Sequence, residues 1–224
     1  MDLHKLKKEQ ILLSESVILK DKISKIRLVA GVDQSYIGNN TIISAIVVCE
    51  YPSMKIVEKK YAVKEDVKFP YIPGFIAYRE APIIIGAFEK LQNKPDILMC
   101  NFHGTLHPRK CGAASHIGVA LNVPTIGIAK KLMVGKEKEG QIFIDSKLKG
   151  IALRTKEHAK PIYISPGHMI TLTTSVKTVS KCLRDHKLPE PLYLAHRYAV
   201  KIKKKQKEKD SKLTEASSMK KIEA

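Results

Sequence analysis

The alternation of apolar and polar positions divides the first third of the chain into one helix and three strands. Apolar side chains recur at near-helical spacing from residue 3 onward, which predicts an amphipathic helix that ends at about Lys22. The predicted strands, rich in β-branched residues, cover residues 26–32, 42–49 and 55–63. A Gly-Asn-Asn turn (residues 38–40) suits a hairpin between the first two strands, so we expect the three strands to pair antiparallel.

The middle of the chain predicts a helix followed by a β-α-β unit. Two prolines and a glycine exclude regular structure over residues 69–75, and the helix that follows has Pro82 in its first turn. The β-α-β unit covers a buried strand over residues 97–100, a helix over residues 112–121 and a strand over residues 125–129. This element order is that of ribonuclease H-like nucleases. We therefore predict an α/β, ribonuclease H-like fold, whose mixed central sheet (three antiparallel strands, then parallel strands) is flanked by helices.

The last third predicts further strands, two helices and a tail. The predicted elements are a hairpin over residues 141–144 and 150–154, a strand over residues 161–164, a turn over Ser165-Pro166-Gly167-His168, a helix after it, and a last helix from Pro191. From Lys201 onward the composition changes to Lys, Glu, Ser and Gln. We expect one domain over residues 1–200 and a basic, flexible tail over residues 201–224, which either contacts phosphates or only aids solubility.

The charge balance favours a polyanionic partner. The chain has 40 Lys and Arg against 22 Asp and Glu, a formal net charge of +18, which is typical of proteins that bind nucleic acid. No apolar run is long enough to span a membrane, so we expect no membrane partner. The four cysteines form no C-x-x-C pair, which favours reduced thiols and a cytoplasmic location. We further expect a monomer.

Three polar residues lie at the ends of separate predicted elements. Asp33 follows the first strand, Glu80 lies at the start of the second helix, and Asn101 follows the fourth strand. The first and fourth strands are neighbours in the predicted topology, so these side chains can converge. Mg²⁺ prefers such oxygen ligands, and it promotes the hydrolysis of phosphodiesters. We therefore predict a Mg²⁺ site at these three residues, at which Mn²⁺ can substitute.

Several stretches of the chain resemble the endonuclease V family. They are Gly31-Val32-Asp33-Gln34-Ser35-Tyr36, the segment from Pro70-Tyr71-Ile72-Pro73-Gly74-Phe75 through Arg79-Glu80, Gly104-Thr105-Leu106-His107-Pro108-Arg109, Pro124-Thr125-Ile126-Gly127-Ile128-Ala129-Lys130, Ser165-Pro166-Gly167-His168 and Leu194-Ala195-His196-Arg197. The matches are collinear over residues 26–199. The resemblance implies metal-dependent hydrolysis, in DNA repair, of the second phosphodiester 3′ to a deaminated purine, hypoxanthine above all.

The resemblance also implies roles for individual residues. Asp33 and Glu80 would bind metal, and His196 would be a further active-site or metal-associated residue. Lys130 would contact the scissile phosphate or stabilise its charge. Tyr71 would be a wedge in a rigid Pro-Tyr-Ile-Pro loop that replaces the stacking lost when the damaged base leaves the helix. The other residues expected to contact the nucleic acid are Pro73, Gly74, Gly104 (close to the flipped base), His107 (near the phosphate) and Arg109.

Asn101 departs from the family pattern, which has Asp at this position. An amide preserves the shape of the side chain but removes one negative charge, so both metal affinity and activity are expected to fall. Two interpretations remain open: a form altered to inactivate the enzyme, or a natural variant with compensation elsewhere. The match of the surrounding motifs to an active enzyme favours the first.

Three other functions compete with a DNA endonuclease. A zinc module could use Cys100, His103, His107 and Cys111, although their spacing is unusual and Cys100 should point into the sheet. A non-catalytic nucleic-acid-binding protein would explain the charge equally well. An endoribonuclease specific for inosine fits the same motifs, because no residue is tied to the 2′-hydroxyl.

Overall fold

The protein is built on one nine-stranded mixed sheet with helices on both faces. The computed structural model describes the backbone of residues 1–222 and the side chains of residues 1–211. The helices are α1 (Leu3–Glu15), α2 (Ile76–Glu89), α3 (Ala113–Leu121), α4 (Leu172–Lys181) and α5 (Glu190–Ile222). The strands are β1 (Leu28–Ile37), β2 (Thr41–Glu50), β3 (Ile56–Lys64), β4 (Ile97–Cys100), β5 (Thr125–Ala129), β6 (Lys136–Lys138), β7 (Gln141–Ile144), β8 (Lys147–Leu153) and β9 (Ile162–His168).

The strand order is β3-β2-β1-β4-β5-β9-β8-β7-β6. β1, β2 and β3 pair antiparallel, and β4 and β5 then continue parallel to β1. The predicted mixed sheet is therefore confirmed. β9 pairs antiparallel with β5 and extends the sheet through β8, β7 and β6.

The two larger apolar cores lie on opposite faces of the sheet because successive side chains of a strand alternate between faces. In β1, Val29 belongs to the core covered by α4 and α5, whereas Ala30 and Val32 belong to the core covered by α2 and α3. In β4, Met99 and Cys100 divide in the same way. The next residue after Cys100 is therefore directed toward the α5 face.

Gly31 allows α5 to lie directly against the sheet. A Cβ built at Gly31 would lie 2.2 Å from the carbonyl carbon of Pro191 and 2.4 Å from the backbone nitrogen of Leu192. Both contacts are with backbone atoms at the start of α5, which cannot move independently of the helix. The missing side chain thus sets the distance between α5 and β1.

Two predicted boundaries near the site were wrong. β1 does not end at Asp33 but continues to Ile37, because it pairs with β2 along its whole length. Asp33 therefore lies inside a strand, one residue beyond the point where β4 stops pairing with β1. α2 begins at Ile76, so Pro82 lies in its interior and not in its first turn, and Glu80 lies in the second turn.

The predicted turn at Ser165-Pro166-Gly167-His168 is also wrong, since these residues are the end of β9. A register shift between Thr125 and Ile126 of the neighbouring strand accommodates the proline and glycine, as bulges commonly do. The carbonyl of Pro166 accepts a hydrogen bond from the Thr105 nitrogen (2.9 Å), which anchors the loop after β4 on this strand.

The first helix is shorter than predicted and the last is longer. α1 ends at Glu15 because the following residues bond to the β9–α4 region: the Ile18 nitrogen donates to His168 Nδ1 (3.3 Å) and the Lys22 nitrogen to the Met169 carbonyl (3.1 Å). α5 crosses the boundary predicted at residue 200 and continues to Ile222, so much of the predicted tail is helical; residues 223–224 lie outside the described part. Among the helices described, none is sufficiently long and apolar to cross a membrane.

Candidate active site

The central feature of the site is a contact between Asp33 and Asn101. Asn101 follows the buried strand β4, and its Nδ2 donates to Asp33 Oδ1 over 2.8 Å. Asp33 is buried, with 5% of its surface exposed, although its partner in this contact is polar. The predicted convergence of these two residues is observed, because β1 and β4 are adjacent parallel strands.

His196 completes the surroundings of Asp33 from the α5 side. Its Nδ1 lies 2.8 Å from Asp33 Oδ2. Both carboxylate oxygens of Asp33 are thus engaged, one by an amide and one by an imidazole. His196 itself is exposed, so its remaining ring nitrogen is accessible from solvent.

Glu80 is buried, and its two carboxylate oxygens differ in their hydrogen bonding. Its Oε1 accepts a hydrogen bond from the Tyr36 hydroxyl (2.5 Å), whereas Oε2 has no hydrogen-bond partner among the described residues. Burial raises the pKa of Glu80 to about 7, although the Tyr36 hydrogen bond and the nearby Arg79 oppose the increase. A buried carboxylate oxygen without a partner is costly unless a cation or another donor reaches it.

The oxygen atoms present fit a hard divalent cation, but with reduced charge. Asp33 and Glu80 supply carboxylates and Asn101 can supply a neutral amide oxygen, and Glu80 Oε2 is an unused buried acceptor. No group of three or more His, Cys, Asp or Glu side chains suited to a metal ion is found in the described part of the chain. Asp33, Glu80 and His196 therefore do not form such a group by themselves, and position 101 offers an amide oxygen where a carboxylate would add an acidic ligand.

An exposed aromatic loop lies near Tyr36, the hydrogen-bond partner of Glu80, because Tyr36 and Tyr71 line the same pocket. We call residues 69–75 the Tyr71 loop; Tyr71 is 70% exposed, and Pro70 and Pro73 on either side of it are exposed as well. The base of the loop is held firmly. The buried guanidinium of Arg79 donates to the Phe69 carbonyl, and the Phe75 nitrogen donates to the Ile72 carbonyl (2.9 Å). A large exposed ring on a supported loop is therefore available for a partner.

Gly74 anchors the other end of the Tyr71 loop. Its carbonyl accepts hydrogen bonds from Arg109 Nη2 (2.7 Å) and from His107 Nε2 (3.2 Å). Its φ of +81° favours glycine, and an added Cβ would lie 2.9 Å from Arg109 Nη2. Gly74 thus serves the conformation of the loop.

His107 and Arg109, which the sequence predicted to contact nucleic acid, both bond the Gly74 carbonyl at the base of this loop. His107 is 4% exposed, and burial lowers its pKa to about 4, so it is neutral near pH 7. The Arg109 nitrogen donates to His107 Nδ1 (3.3 Å), which places the imidazole proton on Nε2, facing Gly74. A buried neutral imidazole presents no positive charge to a phosphate.

Gly104 and Lys130 occupy different environments. A Cβ at Gly104 would lie 2.2 Å from the Pro166 carbonyl oxygen, so the close approach that requires glycine here is to β9. The sequence had predicted a close approach to a base. Lys130 directly follows β5 and is exposed, at the same end of the parallel strands as Asn101.

A basic groove leads away from His196 along α5. We define the basic groove by four cations that line it, and all four are exposed: Lys59, Arg197, Lys201 and Lys204. Arg197, Lys201 and Lys204 recur at helical spacing and share one face of α5. The groove therefore connects the candidate site to a row of positive charge.

The residues of the alternative zinc module do not form a site. Cys100 is fully buried in the apolar core beneath α2 and α3, and His103 Nε2 bonds to the Lys131 carbonyl (2.8 Å). His107 bonds to Gly74 as described above. The contacts of Cys100, His103 and His107 direct these three side chains to different surroundings.

Two residues of the site were missed at the sequence level. Tyr36, which bonds Glu80, lies within the motif around Asp33 but was given no role. Gln10 of α1 is 1% exposed and accepts a hydrogen bond from Arg109 Nε (2.6 Å). Its position in the apolar stripe between Leu6 and Leu13 was a signal, because a polar residue there must find a buried partner.

Comparison with known proteins identifies the family. The family model for endonuclease V matches residues 11–197. The endonuclease V of Dictyoglomus thermophilum is 43% identical over 197 residues, which cover 84% of this chain and 86% of that protein.

Solved structures agree with the sequence comparison. The Bacillus subtilis endonuclease V structure superposes with a TM-score of 0.85 at 29% identity, covering 93% of this chain and 95% of that one. The endonuclease V of Ciona intestinalis, solved with a 24mer DNA containing an inosine followed by a ribo-adenosine, gives a TM-score of 0.82 at 27% identity, covering 91% and 98%. The ribonuclease H-like fold is therefore confirmed. The chain belongs to the endonuclease V family, and it is an endonuclease by descent and by fold.

Proposed function

We propose that the protein is a metal-dependent endonuclease that acts at the second phosphodiester 3′ to a deaminated purine, inosine above all. The observation that carries the proposal is the cluster around Asp33, which bonds Asn101 and His196 and interacts electrostatically with the buried carboxylate of Glu80. The Ciona relative, crystallised with inosine-containing DNA, supports the substrate class.

Asp33, Glu80 and Asn101 would hold the divalent cation, with Mg²⁺ as the expected ion and Mn²⁺ as a substitute. When bound, such an ion stabilises negative charge on the phosphate and lowers the pKa of bound water. The residues themselves orient the site: Tyr36 fixes Glu80, and His196 fixes Asp33. Lys130, exposed at the end of β5, would contact the scissile phosphate.

Tyr71 would enter the nucleic acid where the damaged base leaves the stack. Its exposure excludes a role as a core ring, and the two bonds to the Gly74 carbonyl support the loop from below. Pro73, exposed next to the tip, restricts the backbone. A rigid aromatic side chain replaces lost stacking at little entropic cost.

Binding to inosine tests the proposal directly. The protein is expected to bind an inosine-containing duplex more tightly than the matched adenine duplex at one salt concentration, and Tyr71→Ala is expected to remove about 1–3 kcal/mol of that binding, the usual contribution of a base–aromatic stack. Fluorescence anisotropy titrations with both duplexes measure the difference.

The control for Tyr71→Ala is the melting temperature. Since Tyr71 is 70% exposed, the variant should unfold at the same temperature as the parent protein. Equal dissociation constants of the parent protein for the two duplexes would contradict a pocket that distinguishes the base.

Two alternative functions remain, and both would use the same site. The amide of Asn101 favours a protein that binds inosine-containing strands but cleaves them slowly, because the cluster lacks one carboxylate. An inosine-specific endoribonuclease would use the same residues. Matched deoxyinosine and inosine strands, assayed for binding and for cleavage, distinguish these functions.

The basic groove is expected to hold phosphates of the bound strand. A double variant in which Ala replaces both Lys201 and Lys204 should lose up to about two units from the slope of log affinity against log salt concentration. Each phosphate contact contributes close to one unit to this slope. Titrations between low and moderate salt measure the slope, and inosine preference should not change.

The matched control replaces Lys205 and Lys209, which do not line the groove. The same loss of slope in both double variants would show that only the total charge matters. We propose, in addition, that residues 201–224 form a basic C-terminal region; a truncation must spare Ile202, which is 8% exposed and belongs to the core.

A further inference from the structure

The N-terminal helix α1 is connected to the Tyr71 loop by a buried amide. Gln10 is 1% exposed and lies between Leu6 and Leu13 in the stripe that α1 turns toward the domain. A buried amide must use its hydrogen-bonding groups within the protein. Gln10 is therefore fixed by its partners and is not a solvated helix residue.

Both polar atoms of the Gln10 side-chain amide are hydrogen-bonded. Its Nε2 donates to the Cys111 carbonyl over 2.7 Å, and its Oε1 accepts from Arg109 Nε over 2.6 Å. The two contacts lie on either side of Lys110, which has a positive φ of 53°. Gln10 thus clamps the end of the loop after β4 from a position about a hundred residues earlier in the chain.

Arg109 transmits this contact to the Tyr71 loop. The guanidinium is planar, so a hydrogen bond to Nε also sets the direction of Nη2. Arg109 Nη2 donates to the Gly74 carbonyl over 2.7 Å, and the guanidinium carbon lies 4.4 Å from the centroid of the Phe75 ring. Gln10, Arg109 and Gly74 form a continuous chain from α1 to the loop.

We propose that Gln10 is a positioning residue for base recognition: it orients Arg109, which holds the Gly74 carbonyl and keeps the Tyr71 loop in the conformation that enters the nucleic acid. This role deepens the proposed function and rests on it. The match to the endonuclease V family model begins at residue 11, so Gln10 lies just outside the matched range.

A second tether of α1 provides a control. The Tyr78 hydroxyl donates to the Leu6 carbonyl over 3.0 Å, so Tyr78→Phe removes one hydrogen bond between α1 and α2 and keeps the ring that packs near Phe69 and Phe75. Gln10→Met, close in size to glutamine, removes both side-chain hydrogen bonds, the one from Arg109 Nε and the one to the Cys111 carbonyl. Tyr78→Phe tests the docking of α1, whereas Gln10→Met also tests the orientation of Arg109.

Loop order can be measured without any ligand. The chain contains no tryptophan, so Tyr71→Trp introduces a single reporter at the tip of the loop. In this background, Gln10→Met is expected to lower the time-resolved anisotropy of Trp fluorescence on the nanosecond scale, on which loops move. Tyr78→Phe is expected to leave the anisotropy unchanged.

Base recognition is measured with Tyr71 in place. Gln10→Met is expected to reduce the ratio of affinities for inosine and adenine duplexes about tenfold, the effect of losing a hydrogen bond to a charged group. Gln10→Glu keeps an acceptor for Arg109 Nε and is expected to retain most of the preference. Melting curves establish that each variant is folded.

The outcomes are distinct. Lower anisotropy and lower preference in Gln10→Met, with both restored in Gln10→Glu, support the role of Gln10. Equal effects of Gln10→Met and Tyr78→Phe, or no effect of Gln10→Met on anisotropy, overturn it. If the parent protein shows no inosine preference, the proposed function fails, while the anisotropy still decides whether Gln10 orders the loop.

Discussion

Asn101→Asp is expected to increase Mg²⁺-dependent cleavage on the 3′ side of inosine at least tenfold. Asn101 Nδ2 lies 2.8 Å from Asp33 Oδ1, so the substitution places a second carboxylate directly beside the first. At an effective dielectric constant of about 20, a unit charge pair at 4 Å contributes roughly 4 kcal/mol, and a divalent ion doubles the energy before desolvation offsets it. A third of roughly 4 kcal/mol already corresponds to about tenfold in rate.

Asn101→Asp is also expected to change the stability of the protein, and this effect can be measured without an activity assay. Without metal, the carboxylate at position 101 cannot donate to Asp33, and two adjacent carboxylates repel each other unless one is protonated. The melting temperature of Asn101→Asp should therefore be lower than that of the parent protein without Mg²⁺ and should rise more steeply as Mg²⁺ is added.

Single-turnover cleavage across a magnesium titration, with melting curves at the same concentrations, checks both effects. Asn122→Asp is the matched control, because it adds the same charge at an exposed position after α3. If Asn101→Asp cleaves no faster than the parent at saturating metal, Asn101 is already a competent ligand or the catalytic site lies elsewhere.

Gly31→Ala is expected to destabilise the protein by about 3 kcal/mol, at the upper end of the usual cost of overpacking. The new methyl group would lie 2.2 Å from the Pro191 carbonyl, so α5 must move away from β1. His196, one and a half turns further along α5, would move with it and lose its 2.8 Å contact with Asp33. Activity in the Asn101→Asp background should therefore fall together with stability.

Gly86→Ala is the control for this prediction. Gly86 lies within α2, and outside its own stretch of helix an added Cβ would meet no atom of the described residues within 4 Å. The variant should therefore gain up to about 1 kcal/mol from helix propensity. Urea unfolding of the two variants measures both changes. A stable Gly31→Ala protein would show that α5 is free to shift on the sheet.

Local patterns determined most of the element order and the residues at the centre of the site. Short apolar runs identified β2, β4 and β5, and the helix predicted from Pro191 is observed, with Leu192 and Ile202 buried. The pairing of β1 with β4 followed from that order, so the meeting of Asp33 and Asn101 could be predicted from the sequence. These features depend on periodicity and strand adjacency, which a short stretch of sequence contains.

Only the tertiary structure decided the contacts that depend on distant segments. Pro166 and Gly167 form a turn by local preference, yet a register shift of β5 makes them part of β9. Arg109 suits a phosphate by its charge, yet Gln10, 99 residues earlier, and Gly74 bind its guanidinium. His107 is neutral near pH 7, because burial lowers its pKa to about 4. The sequence by itself therefore determined which side chains are chemically able to act, whereas packing between remote elements determined which of them remain available to a substrate, because burial and hydrogen bonding commit a polar group to one partner.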